Sequence, residues 1–252
     1  MQTSYFSKYK KQDGVNIALG EPKWFTGESY PSLYPTWDMI NNVKKTKNYP
    51  LYIKEYTQIL NKLDPFKVYN DLKNKTILCW EKSGDFCHRK LISDWIEEKT
   101  GFIVPEYDYD ILFFKDEYRF LSNFWLNDIV ISNKIWKSTE HIYQASKSND
   151  PIIREKMRNL RTPGEAKKIG KLIKMRDDFD EIKDNMMLKI NRLKFKNPEL
   201  KQLLIETGNK KLIEGNFWND NYFGKCYCKK CEDKVGLNKL GKILMKIRNE
   251  IK

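Results

Sequence analysis

The chain has 252 residues, enough to bury a core as one large domain or two small ones. Its 47 Lys and Arg against 34 Asp and Glu leave a net charge of +13, which suits a polyanionic partner as well as a Lys-rich solubility surface. No apolar run is long enough to span a membrane, Tyr5 to Lys11 is too polar and basic for a signal peptide, and five cysteines make no disulfide framework, so a cytoplasmic setting is expected.

In chain order, Val15-Asn-Ile-Ala-Leu-Gly20 reads as a short buried strand closed by glycine, and Lys75-Thr-Ile-Leu-Cys-Trp80 as a second one. A turn over Glu81 to Asp85 leads to a helix from Cys87 to Lys99, ended by Gly101. This strand–loop–helix unit predicts a small α/β domain over residues 1–105. Within it, Cys79, Cys87, His88 and Arg89 form a candidate site. Cys87 would sit at a helix N-terminus, where the dipole and Arg89 favour its thiolate. The spacing is not that of a Cys-x5-Arg phosphatase loop, and a structural Cys-His pair explains the motif equally well.

Past Val104-Pro-Glu-Tyr107, a second and mostly helical (α+β) domain is expected over residues 106–252, opening on a strand at Asp110 to Phe114. Residues 1–105 carry net +4 and residues 106–252 net +9. Ser138 can cap a helix from Thr139, and nothing before Ser148 would break it. On such a helix Glu140, Gln144 and Lys147 share one face, so a carboxylate, an amide and an amine come together. Glu140 falls in the first turn, where the dipole favours its ionised form. Thr162-Pro-Gly-Glu165 is a capping box, Asn197-Pro-Glu199 opens a helix that Gly208 closes, and Lys239 to Ile251 is amphipathic.

Phe120-Leu-Ser-Asn-Phe-Trp125 and then Trp136-Lys-Ser-Thr-Glu-His-Ile-Tyr-Gln-Ala-Ser-Lys147 resemble the signature of the NADAR family, the YbiA-like N-glycosidases. The resemblance continues through Pro163-Gly-Glu-Ala166, Gly170, Met187, Lys194-Phe195, Leu203-Leu204, Thr207-Gly208 and Leu212-Ile-Glu214. It ends with Asn219-Asp-Asn-Tyr-Phe-Gly224, Gly236 to Met245 and Arg248. These pieces run in the family's order over residues 108 to 252. Residues 1–105, through Leu19-Gly-Glu-Pro22, Tyr34-Pro-Thr-Trp37 and Cys79 to Arg89, resemble an uncharacterised family, domain of unknown function four-eight-eight. That likeness implies a fold and no activity.

The NADAR resemblance implies an enzyme that cleaves an N-glycosidic bond, or the related link of ADP-ribose to guanine, through an oxocarbenium-like state. Glu140 matches the family's S-x-E-H glutamate, Lys147 its Y-Q-A-x-K lysine and Asp220 its second acid, and these are the expected catalytic residues. The lysine could act as a Schiff-base nucleophile if partly deprotonated. Substrate contacts are expected from Asn123, Phe124, Trp125, Trp136, His141, Gln144, Phe179 and Asn238. Phe179 stands where relatives often have tryptophan. His141 reads as satisfying backbone groups beside the site rather than as its acid.

Cys226, Cys228 and Cys231 suit zinc, but a fourth ligand is missing nearby in sequence, and a thiol-bearing loop is the alternative. No metal or cofactor is therefore assigned. The expected partner is an ADP-ribosylated nucleic acid, DNA included, or a nucleotide-like substrate, and not a membrane. Repair, antitoxin-like or phage counter-defence roles fit that substrate. Hydrolysis of a small ribosylated pyrimidine of the riboflavin pathway is the alternative reaction, and a silent ADP-ribose or nucleic-acid reader the alternative class.

Overall fold

Thr76-Ile-Leu-Cys79 is buried at every residue, as befits a central parallel strand covered on both faces. In a computed structural model describing all 252 residues, it is β4 of a four-stranded parallel sheet. The other strands are β1 (Gln2–Tyr5), β2 (Gly14–Asn16) and β3 (Glu28–Ser29), in the order β1-β4-β2-β3. Tyr5 pairs with Cys79 on one side of β4, and Asn16 with Leu78 on the other. β2 is shorter than the sequence predicts. Asn16 Oδ1 accepts the Ala18 N–H at 2.7 Å, and this local turn draws the chain out of the ladder.

Helices α1 (Trp37–Thr46), α2 (Tyr49–Leu60), α3 (Pro65–Leu72) and α4 (His88–Thr100) complete this unit, which spans Met1–Asp110 with Asp233–Gly236. Gly101 ends α4 in the left-handed conformation (φ 76°), which costs glycine little. The break between units falls at Asp110, a few residues beyond the boundary read from the sequence. Tyr107 N–H still donates to Thr3 O (2.8 Å), and Glu106 is tied into the first unit's core.

Arg89 belongs to that core and not to an exposed helix end. It is 1 % exposed, and its guanidinium donates to Glu106 at 3.0–3.3 Å and to the Lys82 carbonyl at 3.0 Å. Removing one partner of such a pair leaves the other uncompensated. Arg89→Ala is therefore expected to lower stability by about 3–5 kcal/mol, as a urea midpoint would report, while a surface change such as Lys90→Ala should move it little.

The second unit comprises Ile111–Glu232 and Leu237–Lys252. Its hairpin, β5 (Ile129–Ile131) and β6 (Lys134–Trp136), closes through Ser132 and Asn133, both at positive φ as a two-residue primed turn requires. Asp110 to Phe114 forms no strand; Ile111 makes only a single bridge to Leu212. Around α5 (Thr139–Ala145) pack α6 (Pro151–Arg158), α7 (Pro163–Ile169) and α8 (Phe179–Lys194). The unit is completed by α9 (Pro198–Glu206), the short pair β7 (Gly215–Asn216) and β8 (Lys225–Cys226), and α10 (Lys239–Ile251). The capping box at Thr162 and Glu165 is present, and α10 buries the apolar stripe Leu240, Leu244 and Ile247.

All seven residues of α5 are buried, including the polar Thr139, Glu140, His141 and Gln144. The helix stops at Ala145. Ser146 Oγ donates back to Tyr143 O (2.7 Å), and Ser148 Oγ accepts from Asp150 N–H as the chain turns toward α6. Lys147 therefore lies off the helical face that carries Glu140 and Gln144.

Candidate active site

Glu140 and Gln144, one turn apart on α5, form one wall of a cavity of about 390 Å³ in the second unit. Gln144 Nε2 donates to Glu140 Oε1 at 2.7 Å. The other end of that amide lies against Gly170, where an added Cβ would fall 2.0 Å from Gln144 Oε1, so only glycine fits there. Asn123 supplies the second wall. Its backbone carbonyl accepts from Glu140 N–H (3.1 Å) and its side-chain oxygen from Thr139 Oγ1 (3.1 Å), which fixes the start of α5 against the Ser122–Phe124 turn.

The third wall is the segment from Glu214 to Phe223. Asp220 Oδ1 accepts from the N–H groups of Tyr222 (2.9 Å) and Phe223 (3.0 Å), a turn that holds the carboxylate facing the cavity. Tyr222 is latched in turn. Its hydroxyl donates to Asp184 Oδ1 at 2.8 Å, and Lys239 Nζ donates to Asp184 Oδ2 at 2.8 Å. Phe124, Tyr143, Trp218 and Phe223 contribute rings, and the lysine lining the cavity is Lys167. Its ammonium lies 5.5 Å from the Phe124 ring centre and 5.3 Å from that of Trp218.

Three carboxyl groups thus share one space, and burial dominates their chemistry. It raises the Glu140 carboxyl above its ordinary range, outweighing the Gln144 hydrogen bond and the charges of Lys167 and Lys147. The first-turn position, expected to favour ionisation, is overridden. Burial, reinforced by Asp220, pushes Glu214 up to about 8, and its Oε2 is enclosed with no hydrogen-bond partner. Behind it, burial lowers Lys194 to about 7; the Lys194 amine donates to Ser122 O at 2.7 Å. A protonated carboxyl at neutral pH next to further carboxylates is a proton donor in waiting.

The expected residues therefore separate. Glu140, Asp220, Asn123, Phe124 and Gln144 line the cavity. Lys147 does not; its amine donates to Gly170 O at 3.2 Å, because α5 ends before it. Trp136 faces inward from β6, Trp125 packs against the core, and Phe179 is buried beside Tyr143, with ring centres 5.6 Å apart. None of the three is placed to stack on a ligand. His141 is fully enclosed with Nδ1 2.8 Å from Ser138 Oγ, and burial keeps its pKa below the usual value, so it stands neutral behind the wall. Asn238 also braces the site from behind, accepting from Glu214 N–H (3.0 Å) and donating to Leu212 O (2.9 Å).

Lys167, Glu214 and Trp218 escaped the sequence reading of the site. Lys167 follows Pro163-Gly-Glu-Ala166 directly, and Glu214 ends Leu212-Ile-Glu214, so both lay in or beside recognised pieces. Trp218 is 61 % exposed, an unusual state for tryptophan at a cavity mouth and a signal only the fold supplies.

In the first unit Cys79, Cys87 and His88 line a second cavity, of about 530 Å³. Burial would raise the Cys87 thiol, but hydrogen bonds with Cys79 and His88 and the charges of His88 and Arg89 prevail and hold it down at about 6. Cys79 is pushed up by its hydrogen bond to Cys87 and by burial. Arg89 does not line this cavity. In the second unit the sulfurs of Cys226, Cys228 and Cys231 all lie within 4.8 Å of one another, with Asn219 Oδ1 2.8 Å from Cys231 Sγ.

A carboxyl-lined cleft with ringed walls suits acid–base hydrolysis, and relatives place the chain. The NADAR domain model matches residues 112–252, and the chain belongs to the NADAR family. It is 32 % identical over 143 residues to N-glycosidase YbiA of Escherichia coli, covering 54 % of this chain and 83 % of that one. It is 35 % identical over 150 residues to an N-glycosidase of Nostoc punctiforme, covering 56 % and 92 %. A riboflavin biosynthesis protein of Vibrio vulnificus is 32 % identical over 143 residues, which are 54 % of this chain and 36 % of that one. The solution structure of E. coli YbiA aligns with 60 % of this chain and 89 % of its own, at 30 % identity and a TM-score of 0.49. The Escherichia coli and Nostoc punctiforme relatives are N-glycosidases, and with the family match they make the chain a NADAR N-glycosidase, a hydrolase.

Proposed function

We propose that the second unit hydrolyses the N-glycosidic bond of an ADP-ribosyl adduct, with ADP-ribose on guanine of DNA as the preferred substrate. The observation that carries the reading is the set Glu140, Glu214 and Asp220 around one cavity, with Lys167 between the Phe124 and Trp218 rings. As the bond from C1 to the base breaks, its electron pair leaves with the base nitrogen, which takes a proton from Glu214. Glu140 stabilises the positive charge that develops at C1. A water adds to C1 and gives its proton to Asp220, which returns it through solvent to Glu214. Phe124 and Trp218 stack on the base, and Lys167 neutralises phosphate at the mouth.

The Vibrio relative favours a second reading, a small ribosylated pyrimidine as substrate. Offering the protein ADP-ribosylated DNA, ADP-ribosylated protein and riboflavin-pathway intermediates in parallel decides between them. Release of ADP-ribose from DNA is expected, at a rate that falls as salt rises, since phosphate contacts release counterions on binding. Cleavage of the pyrimidine alone would move the assignment to the second reading. Binding to ADP-ribosylated DNA without cleavage of any of the three would leave a reader.

A further inference from the structure

Outside the glycosidase cavity, two clusters of reactive side chains have no role in that reaction, and the one in the first unit pairs a histidine with its cysteines. Cys79 ends β4, and Cys87 and His88 open α4, so the three meet where parallel strands reach their carboxyl ends, the usual place for ligands in such sheets. All three are buried, at 2 %, 4 % and 5 % exposure. His88 Nδ1 lies 3.7 Å from Cys79 Sγ and 3.9 Å from Cys87 Sγ, and the three atoms fall within 4.8 Å of one another. Zinc at roughly 2.3 Å from sulfur and 2.0 Å from nitrogen, with tetrahedral angles, separates its ligands by about 3.5–3.8 Å. The observed spacing is close to that of a zinc triangle.

Two further features point the same way. His88 Nε2 is 2.9 Å from the Ile17 carbonyl. With the proton on Nε2, that hydrogen bond turns the Nδ1 lone pair toward the two sulfurs, the outer support that metal-binding histidines usually have. Cys87 stands at the N-cap of α4, yet its side chain makes no capping hydrogen bond, so its sulfur is left to the cluster.

We propose that Cys79, Cys87 and His88 hold a zinc ion whose fourth position opens on the cavity of the first unit. Three protein ligands with an open place is the arrangement of reactive rather than purely structural zinc. Glu81, with Oε2 3.0 Å from Cys79 Sγ, lies beside that place and can accept a proton from a zinc-bound water. Trp37, Tyr49 and Phe86 ring the cavity, and Lys44 and Lys47 stand at it. That lining selects an anionic ligand with a flat ring and an oxygen donor for the metal.

Zinc content and zinc-edge X-ray absorption of the full chain test this. About one zinc with two sulfur and one imidazole neighbour is expected at this site. A shell of three sulfurs would place the metal on Cys226, Cys228 and Cys231 and overturn the proposal. So would a chain that takes up no zinc after incubation with it, or one whose mass shows a Cys79–Cys87 disulfide. Cys79→Ser should lose the metal and Cys228→Ser should keep it; the reverse overturns the assignment. If Cys79→Ser does not fold, the cobalt-substituted parent decides, since thiolate charge-transfer bands of a tetrahedral two-sulfur site are expected and their absence counts against it. Imidazole added to that cobalt protein should shift its visible bands. Indifference to imidazole overturns the open fourth position.

Discussion

Glu214→Gln is expected to slow turnover by about 10²–10⁴-fold and to remove the alkaline limb of the pH profile. The reasoning starts from burial, which lifts the Glu214 carboxyl to about 8. A proton donor must carry its proton, so the native rate should fall as pH rises through about 8. The amide cannot titrate, and its residual rate should be flat there. Stability should follow the same sign. The folded state holds this proton between the carboxyl's ordinary range and about 8, where the unfolded chain has lost it, so Glu214's contribution weakens as pH rises across that window. Lys194, lowered to about 7, works in the opposite sense above that value. A native profile without the limb, or one retained in Glu214→Gln, would remove Glu214 from the donor role.

The second large effect separates two lysines. Lys167→Ala should cost about 10²–10³-fold in kcat/KM on an ADP-ribosyl substrate, because it deletes a charge that faces both rings and the carboxylates. Lys147→Ala should stay within a few-fold of native, since that amine is spent on the Gly170 carbonyl. The opposite ranking would show that Lys147 swings into the cavity during the reaction and would restore the Schiff-base route to it. Borohydride trapping of a lysine–sugar adduct, followed by peptide mapping, distinguishes the two directly.

Much of the fold could be read without coordinates because its signals are local. Ser138, Thr162 and Asn197 cap the helices expected of them, and the stripe of α10 is the 3.6-residue pattern of a helix with one face in the core. Lys147 shows where that logic fails. Helical spacing puts it over Glu140 only if the helix continues, and the residues that stop α5 are two serines, whose hydroxyls compete for backbone groups without being breakers. Glu214 fails for another reason. An acid after two apolar residues reads as a surface residue, and its character comes from groups far away in sequence that enclose it. Trp136, Phe179 and Asn238 are buried and do not line the cavity, a distinction of side-chain direction that motif spacing does not carry.

Trp218 and Asp220 sit two residues apart on a single segment, pinned at one end by the Asp220 turn and latched through Tyr222 to Asp184. On the proposed reaction, recognition and chemistry would be inherited as one cassette. A change of partner molecule made by exchanging this loop would carry Asp220 with it, whereas Glu140 and Gln144, locked in a helix with no exposed side, would stay as they are. Asp184 does not line the cavity, yet through Tyr222 it would offer a remote adjustment of where Asp220 points. Divergence in this enzyme is thus channelled into few positions, and directed libraries that vary residues 216–224 together with Asp184 should find new specificities more often than libraries aimed at α5.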